Sequence, residues 1–272
     1  MKNTYGLAGL LLGFAIAFLL AAPFAEAQSA FDGTWHADES QTTFSSDAKM
    51  VVLLQNGMFD CKFSPACTPE IQIKADGTDQ PVSDNPSFDM ASVRELSQNS
   101  ITLTMKKDGK TVGEQTQTVS DDGNALTVRN TDHPPNSPKP RESVVTLTRT
   151  AAAPSRANKI SGTWRPTSMH ESENALIFTL KSNGDGLDST NGVGASWSAK
   201  FDGKDYPVAG GAGNVTVSLR RIDDHTFEST TKVDGKPSGV RTFTVSNDGK
   251  KMTDVVRNPR TGVTVTYILD KQ

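Results

Sequence analysis

Phe31-Asp32-Gly33-Thr34-Trp35 stands near the start of the chain, and Ile160-Ser161-Gly162-Thr163-Trp164 repeats its pattern in the second half. After each stretch, three Asp-Gly pairs recur with steps of 32 and then 14 residues between them, and the second half has Asp185-Gly186 as an additional pair. The matched spacing indicates that one structural unit occurs twice in 272 residues. The pairs are Asp76-Gly77, Asp108-Gly109 and Asp122-Gly123, then Asp202-Gly203, Asp234-Gly235 and Asp248-Gly249.

The N-terminal residues 1–27 have the features of a secretory signal peptide. Lys2 supplies positive charge, residues 6–22 are almost entirely apolar, and Ala25-Glu26-Ala27 offers the small residues that a signal peptidase needs. A retained membrane anchor is the alternative, because this apolar run approaches the length of a membrane span. We predict cleavage after Ala27 and a soluble mature chain, exported to a bacterial periplasm or secreted.

The charge balance excludes some classes of partner. The net charge is −3, and it stays the same when the predicted signal peptide is removed, since one positive and one negative residue are lost together. Neither nucleic acid nor an acidic membrane surface is therefore expected as a partner.

Cys61 and Cys67 are the only cysteines of the chain. In an exported protein, two cysteines this close together predict a disulfide that closes a small loop. A metal-binding pair is the alternative, but such sites favour a tighter Cys-x-x-Cys spacing and further ligands, and none is evident. We expect no metal and no cofactor.

The segment 151–157 has the composition of a linker, rich in alanine with one proline. It divides the mature chain into two predicted β-barrel repeats, residues 28–150 and 158–272. Apolar residues alternate with polar ones at 101–105, 215–219 and 263–269, which is typical of half-buried strands. The turn spacing predicts about eight strands per repeat, arranged as an up-and-down antiparallel barrel, because closure removes exposed sheet edges.

The alternation also predicts the form of one hairpin in each repeat. A three-residue loop, Val233-Asp234-Gly235, would place Phe227 and Phe243 on the same face, whereas a two-residue loop would separate them. We therefore predict a type I turn followed by a bulge at Gly235, and the same at Gly109, with positive φ at both glycines.

The two Gly-x-Trp openings resemble that of the calycins, the group of lipocalins, fatty-acid-binding proteins and avidins. The resemblance implies two closed barrels that carry a small hydrophobic ligand inside. Trp35 and Trp164 are expected to close the barrel ends as core residues. In lipocalins an arginine near the end of the last strand packs over this tryptophan. Arg149 stands at that position and is expected over Trp35, whereas the end of the second repeat, Tyr267 to Lys271, lacks an arginine.

No catalytic motif is found, and we expect no enzyme and no catalytic residue. None of the four histidines keeps its identity between the repeats, and neither a Gly-x-Ser-x-Gly nor a His-Glu-x-x-His pattern occurs. The stretch His170-Glu171-Ser172-Glu173 could bind a metal weakly, or it could be a solvated loop.

Polar residues at inward positions are the sharper indication of function. Packed cores reject unpaired polar groups, at about 1–3 kcal/mol each, whereas a water-filled or ligand-filled cavity tolerates them. Arg241 could pair with a ligand carboxylate; the alternative places Arg241 and Gln117 in water at an open barrel mouth. The candidate cavity residues are Gln117, Arg241, Phe243, Ser229 and Thr231.

Two hypotheses for function follow from these patterns. The first is a non-catalytic carrier of a small hydrophobic or amphipathic ligand. The second is an envelope or secreted interaction module with packed barrels, which binds protein or glycan through loops such as the proline-rich stretch 134–140.

Overall fold

The computed structural model describes residues 29–63, 67, 70–85, 87–134, 139–211 and 214–272. The predicted signal peptide, residues 1–27, lies outside these ranges, as do residues 135–138 of the proline-rich loop. The described chain is all-β: its strands form two ten-stranded antiparallel sheets of barrel shape, as predicted, with ten strands in each where we expected about eight.

Twenty strands run in sequence order through the described residues. The first half forms β1 (Gly33–Phe44), β2 (Met50–Gln55), β3 (Met58–Lys62), β4 (Ile71–Lys74), β5 (Gln80–Pro81), β6 (Met90–Ser97), β7 (Ser100–Lys107), β8 (Lys110–Val119), β9 (Ala125–Asp132) and β10 (Arg141–Ala151). The second half forms β11 (Gly162–Glu171), β12 (Ile177–Asn183), β13 (Gly186–Asn191), β14 (Ser196–Lys200), β15 (Tyr206–Ala209), β16 (Val215–Arg221), β17 (Thr226–Val233), β18 (Lys236–Val245), β19 (Lys251–Arg257) and β20 (Thr264–Lys271). A short 3-10 helix, Glu173–Ala175, precedes β12.

The opening strands of the two halves are exchanged. Strand β1 lies between β12 and β20 of the second half, and β11 lies between β2 and β10 of the first half. The first barrel therefore consists of β11 and β2–β10, and the second of β1 and β12–β20. This corrects the expectation that residues 28–150 and 158–272 each close on their own opening strand.

Both sheets curve back on themselves. In the second barrel, pairing of β1 with both β12 and β20 closes the ring. In the first barrel, a bridge between Asp76 and Arg94 joins the end of β4 to β6, and the amide of Gly77 donates to the carbonyl oxygen of Val93 at 2.8 Å. Closure leaves few unpaired sheet edges, which is the reason that a barrel was expected.

The exchanged tryptophans are fully buried in the barrel of the other half. Trp35 packs in the core of the second barrel and Trp164 in the core of the first, both with 0% exposure. Each indole N–H donates to the carbonyl oxygen four residues earlier, that of Phe31 at 2.9 Å or that of Ile160 at 2.8 Å. The buried rings thus keep no unsatisfied polar atom, and their expected place in the core is observed.

In the β17–β18 hairpin, Phe227 and Phe243 lie on the same face, as predicted, but the turn is of a different type from the one predicted. Asp234-Gly235 is a two-residue loop in which both residues have positive φ, 49° and 75°, which is the type I′ form. Ser238 forms a bulge further along β18, and this one extra residue brings Phe243 to the same face as Phe227. Phe227 consequently lies opposite Phe243, with ring centroids 4.6 Å apart. The Asp108-Gly109 hairpin has the same form.

The predicted disulfide is confirmed. Cys61 and Cys67 are bonded, their Cα atoms are 5.5 Å apart, and both lie in the core of the first barrel. In the part of the chain that the structure describes, no helix has the length and hydrophobicity that crossing a membrane requires.

Strand exchange predicts that cutting the linker leaves the two halves together. A site-specific protease sequence inserted between Ala152 and Ala153 would be cleaved in the folded protein, since these residues follow the end of β10, outside the strands, and Ala152 is exposed. We expect the cleaved fragments to elute as one species on size exclusion and to separate only in denaturant, because each barrel retains a strand of the other fragment.

The uncleaved insertion variant is the control for this experiment. Two independently eluting folded fragments would show that each half closes on its own opening strand.

Candidate functional site

The interior of the first barrel changes from apolar to charged along its axis. Alternate residues of β8, β9 and β10 share the inward face and lie side by side across the strands. The row nearest the buried Trp164 is apolar, and the row at the opposite end, which we call the mouth, carries charge. From floor to mouth the rows are Val119–Leu126–Leu147, Gln117–Val128–Val145, Gln115–Asn130–Ser143 and Gly113–Asp132–Arg141.

A chain of hydrogen-bonded amides crosses the middle of this interior. Gln117 Nε2 donates to Gln115 Oε1 at 2.6 Å, Gln115 Nε2 donates to Asn130 Oδ1 at 2.7 Å, and Asn130 Nδ2 donates to Ser143 Oγ at 3.0 Å. Gln117 is 0% exposed, which excludes the alternative that it lies in water at an open mouth. Its Oε1 atom has no hydrogen-bond partner within the described residues.

The mouth row holds one ion pair and one carboxylate without a partner. Arg141 donates to both oxygens of Glu171, at 2.7 Å through Nε and 2.5 Å through Nη2, and Glu171 belongs to the exchanged strand β11. Asp132 lies beside Arg141 in register, but its carboxylate forms neither a hydrogen bond nor an ion pair with any described residue. Desolvation raises the pKa of Asp132, and the Glu171 carboxylate adds to this effect, while Arg141 opposes it.

In the second barrel, the corresponding positions carry a different pair. Arg241 takes the place of Gln115 and donates to both oxygens of Asp254, at 3.2 Å and 3.1 Å through Nε. Asp254 is 0% exposed. The hydrogen bonds that we expected Arg241 to offer to a ligand carboxylate are thus already made to a residue of the protein.

Tyr267 lies opposite Asp254 on β20 of the second barrel. Desolvation raises the pKa of its phenol to about 12, and the next contribution is the charge of Glu171, which is held in the first barrel. The charged groups of the two barrels therefore lie close enough to affect one another.

Aromatic rings fill one end of the second barrel. Phe243 stacks on Phe227 and meets Phe178 edge-on at 5.9 Å. Ser229 is buried at 4% exposure opposite Arg241, and Thr231 is half-buried nearer the turn. Of the five candidate cavity residues, the structure places Gln117 in the first barrel and the other four in the second, so they do not form one site.

Arg149 corrects another expectation. Its guanidinium stacks on Trp164 at 3.9 Å from the ring centroid, not on Trp35, because β11 occupies the place next to β10. Lys271 holds the matching place over Trp35, at 5.2 Å. The guanidinium of Arg149 also donates to three carbonyl oxygens, those of Gly123, Ser161 and Lys159, at 2.6, 2.6 and 2.7 Å.

The stretch His170 to Glu173 joins the exchanged strands. His170 Nδ1 lies 3.2 Å from Glu39 Oε2 of β1, and Glu173 Oε1 lies 2.9 Å from Nε2 of His36. The backbone amide of Glu171 also donates to Glu39. Within the described residues, no group of three or more His, Cys, Asp or Glu side chains is arranged to hold a metal ion.

Sequence reasoning did not place five charged or polar residues in the interiors, namely Asp132, Arg141, Glu171, Asp254 and Tyr267, and it considered Glu171 only as part of a weak metal-binding stretch or a solvated loop. Asp254 had a detectable signal, because it interrupts the apolar positions of an alternating strand between Met252 and Val256. The Arg141–Glu171 pair had none, because it forms only when β11 enters the first barrel.

Comparisons with known proteins give no assignment. The chain matches no protein-family model, and no curated protein is significantly similar to it.

Arg149 is expected to contribute more to stability than Lys271. Replacing Arg149→Met removes three hydrogen bonds from a charged donor and the contact with Trp164, at about 2–3 kcal/mol. Lys271→Met removes only a cation–π contact, at about 1 kcal/mol or less. Urea unfolding followed by tryptophan fluorescence measures both; equal losses would contradict the assigned role of Arg149.

The Arg241–Asp254 pair predicts an asymmetric response to mutation. Arg241→Met leaves a fully buried carboxylate without a counterion and should cost about 3–5 kcal/mol. Asp254→Leu should cost less, because the Arg241 side chain is 39% exposed and reaches water. The double variant should recover most of the stability in urea unfolding; additive losses would show that the two side chains are not coupled.

Proposed function

We propose that this chain is an exported, non-catalytic binding protein of calycin type, which carries a small hydrophobic or amphipathic ligand. The observation that carries this proposal is the fully buried Gln117, whose amide oxygen has no partner among the described residues. A buried unsatisfied amide costs about 1–3 kcal/mol, a large fraction of the stability of a domain. A ligand that pairs with this oxygen would remove the cost.

The first barrel is the better candidate for the ligand site. Its apolar floor row suits a hydrocarbon tail, and the amide chain above it suits a polar group of the same molecule. In the second barrel, the phenylalanine rings stack on one another and Arg241 pairs with Asp254. Both contacts favour a packed interior. The first barrel thus keeps a buried polar atom that a ligand could pair with, whereas in the second barrel the central charged groups pair with each other.

An interaction module is the second candidate, and a groove on the outside of the first barrel favours it. Arg94 and the exposed Leu96 line this groove, with a volume of about 270 Å³, together with hydroxyl groups of β6 and β7. No ion pair of Arg94 is found within the described ranges. A partner that binds here would leave the barrel interior unchanged.

Native mass spectrometry of the purified protein tests the carrier proposal. We expect a bound small molecule in the wild type and a clear loss of occupancy in Gln117→Leu, because leucine removes the polar partner while keeping the apolar volume. Gln72→Leu is the matched control, since Gln72 is exposed on β4 of the same barrel.

The opposite result distinguishes the second candidate. If the wild type carries no small molecule, binds no hydrophobic dye, and Gln117→Leu only raises stability, the first barrel is a packed core and the carrier proposal fails.

A further inference from the structure

Two hydrogen-bond acceptors in the interior of the first barrel have no partner among the described residues. Arg141 directs Nε and Nη2 to Glu171, and one N–H of each of the Gln115, Gln117 and Asn130 amides is used within the amide chain. The two acceptors without a partner are Gln117 Oε1, deep in the barrel, and the half-buried carboxylate of Asp132 at the mouth. A ligand that fits must therefore bring donors.

Asp132 occupies an inward-facing position at the end of β9 and is half-buried. A Cβ placed on Gly113 would lie 3.2 Å from Asp132 Oδ1 and 3.0 Å from Met105 Cε, so the carboxylate shares the inward face with a buried methionine. Glycine at 113 leaves the space open in front of this oxygen. The charged groups around the mouth are Arg141, Glu171 and Asp132, which sum to one negative charge.

The two acceptors belong to separate rows. Asp132 and Gln117 lie two rows apart, which is four residues along the strands. At about 3.3 Å per residue the backbone rows are separated by about 13 Å. A ligand with two polar groups on one chain suits this spacing better than a single small head group.

We propose that the first barrel binds a monoacylated diamine, with its ammonium group on Asp132, its amide beside Gln117 and its acyl tail on the apolar floor. This inference rests on the proposed carrier function and deepens it. An amide offers both an N–H and a carbonyl group, so it pairs with Gln117 in either orientation of the glutamine amide. The ammonium group compensates the negative charge of the mouth.

The unpaired carboxylate of Asp132 should also affect the stability of the ligand-free protein. Because desolvation raises the pKa of Asp132 above its unfolded value, its ionised form is disfavoured in the folded state. Asp132→Asn should therefore stabilise the free protein at pH 7, and the gain should disappear as the pH falls through the raised pKa. A carboxylate with a purely structural role would give the opposite sign.

Three probes of matched length test the inference by calorimetry at pH 7.5. They are N-octanoyl-1,6-diaminohexane, N-hexyl octanamide and N-octanoyl-6-aminohexanoate, which differ only in a cationic, neutral or anionic end. We expect the cationic probe to bind roughly tenfold more tightly than the neutral one, and the anionic probe to bind most weakly. Affinity for the cationic probe should fall as the pH falls and Asp132 gains a proton; His133, Arg141 and Glu171 are the other titratable groups that act on Asp132.

Variants assign the contacts. Asp132→Asn should abolish the preference for the cationic probe without lowering affinity for the neutral one, whereas Gln117→Leu should weaken all three probes. Asp121→Asn, an exposed carboxylate in the β8–β9 turn, is the control and should change nothing. Equal or tighter binding of the anionic probe would overturn the proposed head group and leave the carrier function intact. If no probe binds and no small molecule copurifies, the carrier function itself is wrong.

Discussion

Each barrel is complete only when the opening strand of the other half lies in it. The tryptophan of that strand is fully buried, its indole N–H is satisfied within its own segment, and a cation from the last strand covers its ring. Glycines at 33 and 162 allow this close approach, since a Cβ at either position would lie 2.5 Å from the covering Lys271 or Arg149 side chain. The two halves are therefore joined by two exchanged strands as well as by the linker.

The exchange also builds the candidate site. Arg141 of the first half donates hydrogen bonds to Glu171 of the second half in the mouth of the first barrel. The charge of Glu171 also contributes to the raised pKa of Tyr267 in the second barrel. An interior assembled from both halves has polar groups that neither half would supply alone.

One scaffold carries two interiors of different chemistry. At equivalent places the first barrel has Gln115 and Gln117 where the second has Arg241 and Phe243. In the second barrel an arginine and an aspartate neutralise each other, and stacked rings exclude solvent. In the first, amides leave one acceptor open. Duplication thus supplies one barrel in which a buried arginine–aspartate pair is formed and one in which the buried Gln117 keeps an acceptor without a partner among the described residues.

The sequence by itself determined the strands, the turns and the faces of the strands, because alternation and Asp-Gly turns act over a few residues. It predicted that Phe227 and Phe243 share a face, although a bulge at Ser238 rather than a three-residue turn achieves this. Only the tertiary structure decided which half supplies each opening strand. Gly33-Thr34-Trp35 and Gly162-Thr163-Trp164 are identical and fit either barrel, so no local preference separates the two arrangements. The contacts of β1 with β20 and of β11 with β10 settle the choice, and with it the partner of Arg149 and the charges at the mouth.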